Sequence, residues 1–238
     1  MSTGKSRSPG RNAGRNASRS RQRRDDEKEQ RREAIIDAAE AVFARHGFET
    51  AKMEDVAKRA RVSRALVYVY FKNKSELQFA VCHRALNILR ERHVAAAAAS
   101  PGSGYDKIIA IGRAYMAFAN EFPLYFAALS RFEAHQPDRV EPGSTEHAVL
   151  QAGVAVHEVT IAMLQEGMRD GSIRHIDKPM LVALTLWGFT HGAIQIAQTK
   201  GPFLDEVGLS STEFLTHALR FGLSGLEPMP GAARGRRS

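Results

Sequence analysis

Apolar residues recur at three- and four-residue spacing along most of the chain, and no segment alternates with the period of two that a half-buried strand needs. Ile35, Ala38, Ala39, Val42, Phe43 and His46 form the stripe of a first amphipathic helix. Asp25, Asp26 and Glu27 put acids at its start, where they complement the helix dipole. Gly47 ends it, because glycine tolerates the backbone turn that leaves a helix, and Phe48 is expected to pack back on it. A second helix over about 53–60 buries Val56, Ala57 and Ala60. Ser63 then caps a short third helix that begins at Arg64 and ends near Phe71, and Asn73 caps the next.

The remainder also reads as helical. A long helix over 76–98 shows Leu77, Val81, Ala85 and Ile88 on one stripe, and the run Ser100-Pro101-Gly102-Ser103-Gly104 breaks it. Ile108, Ile111, Tyr115, Phe118 and Phe122 mark another, and Pro123 opens a segment carrying Phe126, Leu129 and Phe132. After a Pro- and Gly-containing loop over 136–145, Val149, Gly153, Val156, Thr160, Met163 and Gly167 mark a further helix closed by Asp170 and Gly171. Pro179 opens a helix to about Gln198, and Ser211 or Thr212 opens a last one to about Leu223. The expected architecture is all-α with about nine helices.

Charge changes this picture at one end. The formal net charge is +8. Lys5, Arg7, Arg11, Arg15, Arg19, Arg21, Arg23 and Arg24 account for all of it, since residues 1–24 hold no acid. This arm is rich in Gly, Ser, Asn and Arg and nearly free of apolar residues, so it is expected to be disordered over 1–27. It reads either as a segment that follows DNA phosphates or a minor groove, or as a solubilising tail. It lacks the apolar core of a secretory signal and the apolar face of a transit peptide. Residues 227–238, rich in Pro, Gly and Arg, are expected to be disordered too. The only cysteine, Cys82, excludes an internal disulfide and points to a reducing, cytoplasmic setting at the nucleoid. No uninterrupted apolar run reaches the roughly 18 residues that span a bilayer.

The stretch from Val56 to Ser75 contains no acid and six cations: Lys58, Arg59, Arg61, Arg64, Lys72 and Lys74. A short helix with basic ends and exposed tyrosines suits a surface that lies on phosphates and probes base edges. Residues 32–77 resemble the DNA-binding domain of the tetracycline-repressor (TetR) family of bacterial transcription regulators. The resemblance rests on Ile35, Ala38, Ala39, Phe43, Gly47, Phe48, Asp55, Val56, Ala57, Val62, Ser63, Arg64, Tyr68, Tyr70, Phe71, Lys74 and Leu77 in one frame. It implies that residues 63–70 form a recognition helix in the major groove and that Tyr70 and Lys74 hold phosphates. The candidate DNA-binding residues are Lys52, Ser63, Arg64, Ala65, Leu66, Tyr68, Val69, Tyr70 and Lys74, with Arg64 the leading base reader. Val67 and Phe71 read as core, and Glu54 as a solvated or dipole-facing acid.

Three positions depart from the family pattern. Ala51 and Lys52 stand where Thr or Ser usually caps the second helix, with Thr50 a shifted substitute. Arg61 stands where the turn usually has Gly, and is strained if its φ is positive. Leu66 and Val69 stand where polar residues are common, and would favour thymine methyls.

In the family the remaining helices hold an inducer pocket and a dimer interface. Tyr115, Phe118, Phe122, Phe126, His157, Met163, Trp187 and His191 are the candidate ligand residues, for a small apolar or aromatic molecule; individually each also reads as core. Asn120 and Thr190 are further polar candidates. Gly188, Gly192, Phe214, Ala218 and Gly222 are candidates for a homodimer interface, their small residues recurring every four positions. The expected organisation is an arm over 1–27, a DNA-binding domain over 28–88 with its helix-turn-helix at about 53–72, a regulatory and dimerisation domain over 89–226, and a tail.

The chain thus reads as a ligand-responsive repressor that binds a palindromic operator as a dimer. A non-specific architectural DNA-binding protein is the alternative, distinguished by the absence of a palindromic footprint. A helical enzyme is the remote one. The nine histidines are scattered, with no His-Glu-x-x-His and no glycine-rich phosphate loop, so neither catalytic residues nor a metal or cofactor is expected.

Overall fold

The computed structural model describes the backbone of residues 10–136 and 139–228, with side chains described from residue 19 onward. Among these residues there are ten helices and no strand. The chain divides between Leu77 and Gln78 into two compact units.

The first unit holds α1 (Gly10–Thr50), α2 (Met53–Ala60), α3 (Arg64–Tyr70) and the opening turn of α4 (Lys74–Ala99). Ile35, Ile36, Ala39, Val42 and Phe43 of α1 are buried with Met53, Val56 and Ala57 of α2, Val67 of α3, and Phe71 and Leu77. His46 lies outside this core and is exposed, contrary to its place on the expected stripe, because α1 is about to end. Helical geometry breaks at Gly47, with φ 75° and ψ 162°, a conformation open to a residue without a Cβ. Phe48 then folds onto Phe43, ring centroids 4.8 Å apart.

The helix begins earlier than its acidic start suggests. Residues 10–27 are helical, which corrects the expectation of disorder there; residues 1–9 and 229–238 lie outside the described residues. The cause is local. Arg, Gln, Glu and Lys are good helix formers, and the pairs Arg23–Glu27 (3.7 Å) and Gln22–Asp26 (3.1 Å) meet at i,i+4. Tertiary burial adds nothing, since every side chain from Arg19 to Arg31 is exposed.

The second unit contains the rest of α4, α5 (Gly104–Glu121), α6 (Pro123–Glu133), α7 (Thr145–Asp170), α8 (Pro179–Thr199), α9 (Gly201–Glu206) and α10 (Ser211–Ser224). The short α9 was not expected; only Leu204 anchors it, too little apolar periodicity to read. Ser103 and Asp106 form a capping box at the start of α5. There α5 crosses α7 closely enough that a Cβ on Gly104 would collide with the backbone of Gly167. Beside the crossing, Ile108, Leu164, Ile173, Ile176, Ala183, Leu223 and Leu226 form a buried cluster, with Met163 and Met168 packed against it. Leu226 and Glu227 are held as well: the Tyr105 hydroxyl donates to Glu227 Oε1 at 3.2 Å.

Among the described residues α7 and α8 are long and apolar enough in composition to cross a membrane. α8 carries no charged residue. Its inner side holds Ala183, His191, Ala193, Ile194 and Ala197, and its outer side leaves Leu181, Leu184, Phe189 and Ile196 exposed. Exposed Phe221 of α10 stacks beside Phe189, centroids 6.2 Å apart.

Candidate nucleic-acid interface and ligand cavity

Ser63 sits in extended backbone and its Oγ accepts from the Leu66 N–H at 3.1 Å, which starts α3 as expected. Val67 and Phe71 fix the helix from beneath, and the Arg32 guanidinium lies 5.5 Å from the Phe71 ring centre. The opposite face is open. Arg64, Ala65, Tyr68 and Val69 are exposed, while Leu66 and Tyr70 are half-buried. Val69 is 75% exposed.

Arg64 is solvent-facing but restrained. Its side chain is 60% exposed, and Nη1 lies 2.8 Å from Glu54 Oε1. Nη2 donates to the Tyr68 hydroxyl at 3.5 Å, and the guanidinium lies 5.4 Å from that ring's centre. Glu54 therefore partners the arginine, a role its sequence position does not reveal. Both terminal nitrogens are thus engaged within the chain, which restrains the guanidinium, and each keeps one further N–H for a base or a phosphate.

The positions that depart from the family pattern differ in outcome. Arg61 adopts φ 57° and ψ 41°, the one non-glycine residue at positive φ among those described, and its N–H closes α2 onto Ala57 and Lys58 carbonyls. Lys52 occupies the N-cap of α2 with no side-chain cap bond. Thr50 does not substitute: its hydroxyl bonds back to the His46 carbonyl. Lys74 donates to the carbonyls of Glu49 (2.7 Å) and Ala51 (3.2 Å), so it ties the end of α1 to the start of α4. A phosphate contact is left to its third N–H. Asn73 Oδ1 accepts from the Glu76 N–H at 2.9 Å, the expected cap.

In the second unit a cavity of about 50 Å³ lies among α4, α5, α7, α8 and α10. Its walls include His93, Ile111, Gly112, Tyr115, Val156, His157, Thr160, Trp187, Thr190, Ala218, Leu219 and Gly222. Of the eight candidate ligand residues only Tyr115, His157 and Trp187 line it. Phe118 and Phe126 are core instead. Phe122 carries the Arg92 guanidinium 5.2 Å from its ring centre, and Met163 packs on the buried cluster. Asn120 is exposed. Helical spacing separates faces of a helix, but several faces are buried here, and a bulky residue on any of them reads alike.

His191 is buried for structural reasons. The Tyr115 hydroxyl lies 2.7 Å from His191 Nδ1, and Ser130 Oγ lies 3.1 Å from Nε2. Ser130 donates its own proton to the Phe126 carbonyl at 3.1 Å. It must therefore accept from Nε2–H, which leaves Nδ1 to accept from the tyrosine. The Trp187 indole also bonds that hydroxyl, which burial otherwise pushes far above the ordinary phenol range. Every member of the chain Trp187–Tyr115–His191–Ser130 has a partner.

His93, on α4, has none for either ring nitrogen, although it is only 5% exposed. Burial, with the nearby His157 imidazole second, lowers its pKa to about 4, so the ring is neutral at pH 7. A buried polar group without a hydrogen bond costs roughly 1–3 kcal/mol. Its sequence surroundings, on a helix of average polarity, carry no signal for this.

The dimer candidates fall into two groups. Gly188, Gly192 and Phe214 line an outer groove of α8 and α10 together with Phe189, Ile196, His217 and Phe221. A Cβ on Gly188 or Gly192 would meet nothing within 4 Å. Ala218, though buried, lines both this groove and the cavity. Gly222 instead packs within the chain, where a Cβ would sit 2.9 Å from Phe189 Cδ1.

Residues 35–81 match the family described as bacterial regulatory proteins of the tetR family, and residues 108–221 match the tetracyclin repressor-like C-terminal domain. Over 58 residues the chain is 40% identical to the HTH-type transcriptional repressor SCO4008 of Streptomyces coelicolor, covering 24% of this chain and 30% of that protein. The chain spans less than half the length of the curated relatives it matches. A protein of unknown function from Rhodococcus sp. RHA1 shares the fold over 83% of this chain and 96% of its own, with TM-score 0.67 and 23% identity. The regulator FadR from Bacillus subtilis, solved in complex with stearoyl-CoA, superposes with TM-score 0.62 at 18% identity, over 82% and 98% of the two chains. At these identities the two structures speak for the fold alone.

Proposed function

Because the chain belongs to the TetR family of bacterial transcription regulators, we propose that it is a cytoplasmic, ligand-responsive repressor that binds a palindromic operator as a homodimer. The observation that carries this reading is α3: capped by Ser63, pinned by Val67 and Phe71, and offering Arg64, Ala65, Tyr68 and Val69 outward. Arg64 reads a guanine through its fork. Val69 packs on a thymine methyl, with Leu66 at the margin. Lys52, Tyr70 and the third N–H of Lys74 hold phosphates.

The dimer rests on the outer sides of α8 and α10. Leu184, Phe189, Ile196 and Phe221 form an apolar surface that a monomer has no reason to expose. A second copy related by a two-fold axis covers it with the same residues, and so presents two α3 helices to the two halves of a palindrome. The ligand site is the cavity around Tyr115, His157 and Trp187. A protein of the same fold, FadR from Bacillus subtilis, was solved with stearoyl-CoA; the small volume here favours a shorter guest. Binding shifts the population of dimers toward one that DNA does not select, by no more than the guest's differential affinity. α4 is the covalent connection, since it contributes both Leu77 of the first unit and His93 of the cavity.

The test is selection of bound sequences from a random duplex pool, followed by transcription in vitro from a promoter carrying the selected site. A palindrome and lowered transcript support the reading. Enrichment without symmetry, or a raised transcript, overturns the dimeric repressor.

A further inference from the structure

We propose that the cavity takes a compact, uncharged, mostly apolar molecule whose single hydroxyl group hydrogen-bonds to the ring of His93. The proposal rests on the cavity being the ligand site and names what enters it.

The lining contains no Asp, Glu, Lys or Arg. A guest with a fixed charge would be buried there without a counter-charge, which is strongly unfavourable. A counter-charge for a carboxylate could come only from His93 or His157, and burial lowers the pKa of both, which opposes protonation at neutral pH. His157 also opposes a charge on His93, by lying close enough to repel it. An uncharged guest avoids both penalties.

The polar groups around the cavity are not equally free. Tyr115 and Trp187 bond to each other and, through His191 and Ser130, to the Phe126 carbonyl. They offer a guest a ring face and little else. His157, Thr160 and Thr190 also line the cavity, but His93 is the lining residue whose ring nitrogens are both buried without a partner, and its ring lies 6.1 Å from that of Tyr115. A neutral imidazole carries one donor and one acceptor. A hydroxyl both donates and accepts, so it fits either nitrogen in either tautomer; a ketone or ether fits only the N–H.

Size follows from the walls. A cavity of about 50 Å³ admits a few heavy atoms, whereas a benzene-sized guest needs on the order of 150 Å³. A ring must therefore displace a wall side chain. The movable ones are Leu219, which rests over Gly112, and Phe189, which rests over Gly222 and is 41% exposed. Both belong to α8 and α10, so a ring-sized guest disturbs the helices that carry the outer apolar surface.

Trp187 is the only tryptophan in the chain and lines the cavity, so its fluorescence reports occupancy. The full chain is titrated with phenol, toluene and benzoate, three probes of similar size. Phenol should bind at least tenfold tighter than toluene, with benzoate weaker than either. His93→Phe should bring phenol and toluene level, and His93→Gln, which keeps a donor and an acceptor, should restore the preference. A change in the His93 ring nitrogen resonances on adding phenol, absent with toluene, should accompany it. Toluene equal to phenol in the unaltered protein overturns the hydroxyl assignment and leaves the cavity as an apolar site. Benzoate as the tightest probe overturns it in favour of an acid. No response of Trp187 to any of the three removes the cavity reading as well.

Discussion

Two side chains carry most of the functional argument, and each is tuned by its neighbours. Arg64 would be a floppy cation without Glu54 and Tyr68; with them its side chain is already restrained, which lowers the entropic loss on binding. Arg64→Ala should weaken operator binding by about 1–3 kcal/mol per half-site and relax selection at one base position, read by competition against a panel of single-base variants. His93 has the opposite problem, since it is buried and unmatched. Its folded pKa of about 4 lies below the unfolded value of ~6.5, so unfolding takes up a proton between those values. The protein therefore keeps its full stability above about pH 6.5 and loses it as pH falls toward 4. His157 and His191, also lowered by burial, act in the same sense. At pH 5 the loss from His93 should be about 2 kcal/mol. His93→Leu should narrow the gap between urea-unfolding free energies at pH 7.5 and pH 5 by that amount.

Among the elements, the α2–α3 turn and α8 depart most from what their sequences favour. Arg61 holds a left-handed conformation that a side chain resists, and it is exposed, so its side chain contributes little packing. Arg61→Gly should raise stability by about 1 kcal/mol, seen as a higher midpoint in thermal unfolding with α3 still formed. The N-terminus of α2 has no side-chain cap, and Lys74 stabilises the neighbouring segment from α4 by bonding Glu49 and Ala51 carbonyls. The α1–α2 connection is thus tied from a distance of 23 and 25 residues rather than locally. α8 is apolar on both sides because it has two partners to satisfy: its own core inward and, in the proposed dimer, a second subunit outward.

At the scale of the molecule the dimer and the charge distribution matter most. Phe221, 66% exposed, is the most exposed large apolar residue on α10. Phe221→Glu should raise the dimer dissociation constant at least a hundredfold, since burying a phenylalanine contributes about 1.5–3 kcal/mol and the two-fold axis counts it twice. Sedimentation velocity reads the change, and operator binding should become steeply concentration-dependent. The eight cations of residues 1–24 equal the whole net charge. Removing those residues should flatten the dependence of operator affinity on salt, because fewer counterions are released. An unchanged slope would assign the arm to solubility alone.

The helical class, the Ser63 cap, the Gly47 break and the buried Val67 and Phe71 are all legible in the sequence. Each depends on backbone geometry or on spacing within one or two turns, and local chemistry fixes both. The cavity is another matter. Tyr115, Trp187 and His191 look alike as bulky residues on apolar helices, and only packing decides that Trp187 and Tyr115 face a cavity while His191 closes a hydrogen-bonded chain. Gly188 and Gly222 share a spacing pattern, yet one faces outward and the other rests under Phe189. His93 became visible only when four other helices closed the cavity beside α4 and left its nitrogens without partners. Periodicity tells which residues leave water, whereas what they meet is set by contacts across long stretches of chain, which only the assembled fold specifies.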